Sequence, residues 1–159
     1  MKSLALLLGA FFLIGCGGGS SSAGGGTPVV TPPVVHAAGF TNASISGGYA
    51  FGISGTAVNS PEAGSGVVTA DGNGNITSGE ETVNIGGISC HATLTGTYSV
   101  NANGTGIATV TATPDAASVA KGCIGGTGDL SLAIANGGAG LILASQNANS
   151  TTVATAAKQ

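Results

Sequence analysis

Few side chains in this sequence are of the types that do chemistry, and their spacing rules out most combinations. Cys90, His91 and Cys123 are zinc-type ligands, with His36 as a fourth. Residues adjacent on a strand face opposite sides, so Cys90 and His91 are badly placed to share one ion. Asp71-Gly72-Asn73-Gly74-Asn75 opens like a calcium loop, with oxygen ligands at alternate positions. The continuation fails, because Ile76 stands where the loop needs Gly and Thr82 where it needs a bidentate Glu. A hairpin turn is the expectation there, since Gly and Asn tolerate positive φ. Glu80 and Glu81 are the only adjacent carboxylates. On a strand they diverge, which makes a poor acid/base pair. One is expected on a solvated face; the other, if it points inward, would be the only charge there. Gly52-Ile53-Ser54-Gly55 and Gly87-Ile88-Ser89-Cys90 lack the second glycine of a nucleophile elbow, and His91 has no evident carboxylate to orient it. No catalytic residue, metal site or cofactor is expected.

Composition excludes further classes. The chain has no Arg, and its lysines are Lys2, Lys121 and Lys158. Nucleic-acid binding needs several cations on phosphates, and these cannot supply them. Charged residues make up only 6%, yet hydrophobic residues reach 42%, which is not the balance of a disordered chain.

Residues 1–16 carry the clearest message. Lys2 is a positive n-region, and Leu4 to Ile14 an apolar stretch too short to span a bilayer as a helix. Leu13-Ile14-Gly15-Cys16 resembles a lipobox, the motif at which bacterial lipoproteins are cleaved and acylated. The resemblance implies a signal peptide over 1–15, lipid on Cys16 and a membrane partner through that lipid. Two or three acyl chains hold a protein firmly where one does not. Gly17 rather than Asp after the Cys implies the outer membrane of the cell envelope. A Gly/Ser coil at 17–26 and a proline-rich stretch at Thr27–Val35 follow as a linker. Val29–Val35 as a first strand is the alternative, disfavoured because three prolines remove three ladder donors. The folded domain is expected over 46–159. Export also decides the thiols. With Cys16 acylated, Cys90 and Cys123 remain in an oxidising compartment and are expected to form a disulfide.

No helical periodicity follows the leader. Alternation of period two is plain instead, as in Cys90, Ala92, Leu94, Gly96, Tyr98 and Val100 against His91, Thr93, Thr95, Thr97 and Ser99. Strands are expected near 47–55, 64–70, 75–85, 90–100, 105–113, 128–135, 139–146 and 150–157. Turn residues at 71–75, 101–104, 136–138 and 146–149 separate several of them. The fold class is therefore all-β, a single antiparallel domain of about eight strands. An up-and-down, lipocalin-like barrel is favoured over a sandwich. The long 114–127 connection leaves a Greek-key crossover open. Tyr49, Phe51, Leu94, Tyr98, Leu130 and Leu132 are the expected interior. After the leader only four aromatics remain, Phe40, Tyr49, Phe51 and Tyr98, too few for the girdles of a transmembrane barrel.

Three segments, Gly48–Gly55, Ala70–Glu81 and Thr95–Val100, recur in order in a family that this chain resembles. It is an uncharacterised family of Gly/Thr-rich lipoproteins and β-repeat proteins of acidobacteria. The resemblance spans most of 47–158 and implies no activity. Cys90, Cys123 and the sparse large apolar residues of the last strands depart from the family pattern. Two functions remain. One is a membrane-tethered envelope lipoprotein with a non-catalytic β-domain in a structural or interaction role. The alternative is a barrel that binds a small apolar ligand in its interior.

Overall fold

The computed structural model describes residues 39–159. The expected signal peptide, Cys16, the linker as far as residue 38 and His36 lie outside the described residues. Eight antiparallel strands form the body: β1 (Ser46–Ala57), β2 (Ser60–Asp71), β3 (Asn75–Ile85), β4 (Ile88–Val100), β5 (Thr105–Pro114), β6 (Gly126–Ala135), β7 (Gly140–Ser145) and β8 (Val153–Lys158). Each bonds to the next, and β8 returns to β1, so the sheet is a closed up-and-down barrel. The 114–127 connection carries no crossover, since β5 and β6 are neighbours. Closure pairs every strand on both sides and leaves no edge.

The pairing spirals. From Gly47 it passes through Ala70, Ile76, Gly96, Val110 and Gly128. Continued along the β6–β7 and β7–β8 registers, it reaches the Ser150–Ala57 bridge, further up β1 than it began. That stagger requires strongly tilted strands. Eight such strands enclose a space that side chains can fill.

They do fill one half of it. Tyr49, which is fully buried, packs with Tyr98, Leu132 and Leu141, and Phe51 and Leu130 lie partly buried against that cluster. Leu94 is buried on the same inward face of β4 as Tyr98. Small residues make room for the large ones. A Cβ at Gly66 would stand 2.6 Å from the Phe51 ring, so this ring needs glycine opposite it, and Gly66 is its register partner. On the outer wall Thr93, Thr95 and Thr97 pair across with Thr113, Thr111 and Thr109. Such cross-strand threonine pairs favour sheet over helix.

One end of the barrel is corked by its own chain. Residues 39–45, including a 3-10 turn at Asn42–Ser44, run into it. Ile45 is 2% exposed and belongs to the main core. The Tyr98 hydroxyl donates to the Ile45 carbonyl at 2.5 Å and lies 3.2 Å from that of Asn42. Asn42 Oδ1 accepts from the Val100 N–H at 2.9 Å. Tyr49 donates to the Gly138 carbonyl at 2.7 Å from beneath. The folded body thus begins before residue 46, where alternation alone had placed it. Short polar segments such as these give no periodic signal.

The opposite end carries the tips Val58–Asn59 and Gly86–Gly87, the 115–125 connection with the short helix α1 (Ala116–Val119), and the 146–152 turn. β2 starts at Ser60 rather than near 64, because Val58 and Asn59 both take positive φ (50° and 62°) and make a tight hairpin. Pro61 lies on β2 before the expected start near 64. It sits beside the hairpin tip, where its carbonyl accepts from the Gly86 N–H at 2.9 Å. β8 begins later than expected, since Ser150 and Thr151 bond back to Asn147 and Thr56.

Candidate functional site

The second half of the interior differs from the first. Register places Glu81 opposite Gly66 and Ala92, on the inward face with Val83, while Glu80 pairs with Val67 and Thr93 on the outside. One glutamate in and one out is what alternation demands. Glu81 is not the only inward charge, however. Glu62, opposite Gly55 and Ile85, also faces the barrel, and its carboxylate accepts from the Thr152 hydroxyl. Gly55 (φ 147°) lies between them on β1, and a Cβ there would stand 2.5 Å from the Thr151 carbonyl oxygen. Glu62 lies before the expected start of β2 near 64, so alternation assigned it no face. Burial raises the Glu81 carboxyl above the ordinary glutamate range, and the Glu62 charge adds to it.

At the rim above them the Cys90–Cys123 disulfide bridges β4 to the 115–125 connection, with Cα atoms 5.8 Å apart. Both cysteines are buried with Val83, against Ile53 and Ile85, in a second small core. The outer side of the same strand end carries a polar cluster that sequence did not reveal. His91 Nδ1 lies 3.5 Å from Asp115 Oδ2. Asp115 caps α1 by accepting from the Ser118 N–H at 2.6 Å. That bond, then His91 and Lys121 nearby, holds the Asp115 carboxyl below its usual range. His91 therefore does have a carboxylate partner, supplied by a loop two elements away. Ser118 does not complete a nucleophilic triad. Its hydroxyl is 2% exposed and accepts the His91 backbone N–H at 2.8 Å, so it serves structure.

Asp71 is likewise committed to structure. One carboxylate oxygen accepts from the Asn73 and Asn75 N–H groups at 2.7 and 2.9 Å, and the other from Asn75 Nδ2 at 2.7 Å. The Asn75 bonds, then those from Asn73, hold its carboxyl down to about 2. The segment is a hairpin turn with Gly72 and Gly74 at positive φ. Among the described residues no three His, Cys, Asp or Glu side chains converge as a metal site would require.

One cleft lies in the wall. Pairing of β3 with β4 shifts register between Ile76 and Glu80, a bulge that spreads the strands. The gap measures about 400 Å³, with Val68, Gly79 and Leu94 among its lining and Thr69, Thr77 and Thr95 around them. A smaller hollow of about 210 Å³ shares Val67 and Glu80 with it and extends to His91. The larger gap mixes threonine hydroxyls with apolar side chains, and the smaller one carries Glu80, Glu81 and His91. Gly79 is the one local cue to the bulge, and a single strand glycine does not locate one.

No family model, curated protein or solved structure matches the chain. Its chemistry therefore stands on the geometry. Two carboxylates, Glu62 and Glu81, share the uncorked half of the interior. His91 Nδ1 and Asp115 Oδ2 lie 3.5 Å apart on the half-exposed outer face. Neither set adjoins an accessible nucleophile held by a base.

Proposed function

We propose that this protein is a lipid-tethered lipoprotein of the cell envelope, carried to the outer membrane by its leader, whose barrel is a non-catalytic structural or interaction module working through its outer surface. The observation that carries the reading is the occupied interior. Tyr49, Phe51, Tyr98, Leu130 and Leu132 pack on one another in the corked half, so the barrel holds its own core where a lipocalin-like protein would hold its ligand. The outer wall is uncharged for the most part and rich in threonine, and its partner is unassigned. The leader and Cys16 supply the tether, which joins the barrel at the corked end through Gly39.

Two measurements test this. The full chain, expressed in a bacterium fed an alkyne-labelled fatty acid, takes up label, and Cys16→Ala abolishes it. Absence of label, or label that survives the substitution, overturns the tether. Native mass spectrometry of the purified protein should give the polypeptide and its acyl groups alone. A co-purifying apolar molecule at one equivalent would favour the ligand-binding alternative instead.

A further inference from the structure

The connection from Asp115 to Gly125 is held to the barrel by very little. Its helix has four residues, too short to persist unaided. Ala116, Ala117, Val119, Ala120, Lys121 and Ile124 are all exposed, Ile124 at 93%. Only Ser118 and Cys123 are buried. The ties to the rest of the molecule converge on two residues of β4. Asp115 N–H donates to the His91 carbonyl at 3.1 Å, and His91 N–H to Ser118 Oγ at 2.8 Å. The His91–Asp115 side-chain contact is half exposed, and such contacts contribute little. The disulfide is the remaining tie, and it alone brings the connection into contact with inward-facing residues of other strands, through Val83, Ile53 and Ile85.

We propose that the Cys90–Cys123 bond is a redox latch, and that the 115–125 connection is the strap it holds across the uncorked end of the barrel. A dithiol reductant opens the latch. Its thiolate attacks one sulfur, the S–S bond breaks as a mixed disulfide forms, and the second thiolate then displaces the protein sulfur. The reductant leaves as its own disulfide, two electrons pass to the protein, and Cys90 and Cys123 take up the protons as free thiols. The strap then keeps two hydrogen bonds and a solvated side-chain contact against the conformational entropy of its whole length. It detaches, and water reaches Val83, Ile85 and the Glu81 carboxyl. The corked half stays closed, because Tyr49, Tyr98 and residues 39–45 make no contact with the latch through either core cluster.

Hydrogen exchange by mass spectrometry on the full-length protein, with and without dithiothreitol, tests the latch. Reduction is expected to raise amide exchange in 115–125 on the order of tenfold or more, while 98–108 and 130–141 change by less than about twofold. Cys90→Ser/Cys123→Ser should reproduce the reduced pattern. Carbon-13 NMR of the glutamate carboxyls reads the mouth directly, and the Glu81 midpoint should move down toward the ordinary range on reduction. Unchanged exchange in 115–125 would show that the strap holds without the bond. Loss of protection throughout the barrel would show a staple for the whole fold. An unmoved Glu81 midpoint would show that the mouth stays shut. Each of these three results overturns the proposal.

Discussion

Tyr98→Phe removes one oxygen from the clasp between cork and barrel. The phenol has a single proton, and the 2.5 Å contact to the Ile45 carbonyl takes most of it. The Asn42 carbonyl at 3.2 Å receives a weaker share. Ile45 is 2% exposed, so its carbonyl has poor access to water once the hydroxyl is gone. A buried acceptor left unsatisfied costs about 1–3 kcal/mol, and the phenylalanine ring keeps the packing otherwise intact. We therefore expect a loss of about 2 kcal/mol. For a domain of this size that lowers Tm by roughly 6–10 °C. Urea melts followed by far-UV circular dichroism measure it, and hydrogen exchange should show the loss concentrated in 39–45. A second signature is alkaline. Burial raises the Tyr98 phenol above its ordinary value of 10.0. The neutral phenol's contribution is fully present below that value. As pH rises past it the unfolded chain ionises first, so stability falls until the folded phenol ionises too. The variant should show a shallower alkaline loss, with Tyr49 supplying what remains. A destabilisation below about 0.5 kcal/mol would refute the clasp, because it would mean that water or another donor serves the carbonyl equally well.

Two further outcomes follow from the opposite end. Glu81 titrates above the ordinary glutamate value of 4.5, so its site favours the neutral acid. Stability from this group is complete below pH 4.5 and is lost as pH rises through the folded pKa. Glu81→Gln should match the wild type at pH 4 and exceed it at pH 7 in urea melts, and equal stabilities at pH 7 would place the carboxylate in free solvent. Val58 is a β-branched residue at φ 50° and 81% exposed, so its side chain adds strain with little burial. Val58→Asn should raise stability by about 0.5–1.5 kcal/mol, as type I′ turns prefer Asn at that place, and a destabilised variant would assign the valine a packing role.

Alternation along each strand was enough to determine the wall. Leu94 and Tyr98 face inward and Thr93, Thr95 and Thr97 outward because successive side chains on a strand must diverge. The turn at Asp71–Asn75 and the separation of Glu80 from Glu81 follow from the same local rules, and the cysteine pair from counting thiols in a chain expected to be exported. Periodicity says nothing about what crosses between strands. The Val58–Asn59 hairpin lacks the Asn-Gly signature, so Glu62 could not be assigned an inward face. Asp115 meets His91 because the β4–β5 pairing continues one step past Ala92 and Pro114, a register that no single strand reveals. The cork at 39–45 is held by the Tyr98 hydroxyl on the Ile45 carbonyl and by the Val100 N–H on Asn42, attractions no sequence window contains. Closure itself was a tertiary decision. β1 meets β8 across almost the full length of the domain, and that pairing depends on the accumulated twist and stagger of all eight strands, which no single strand encodes.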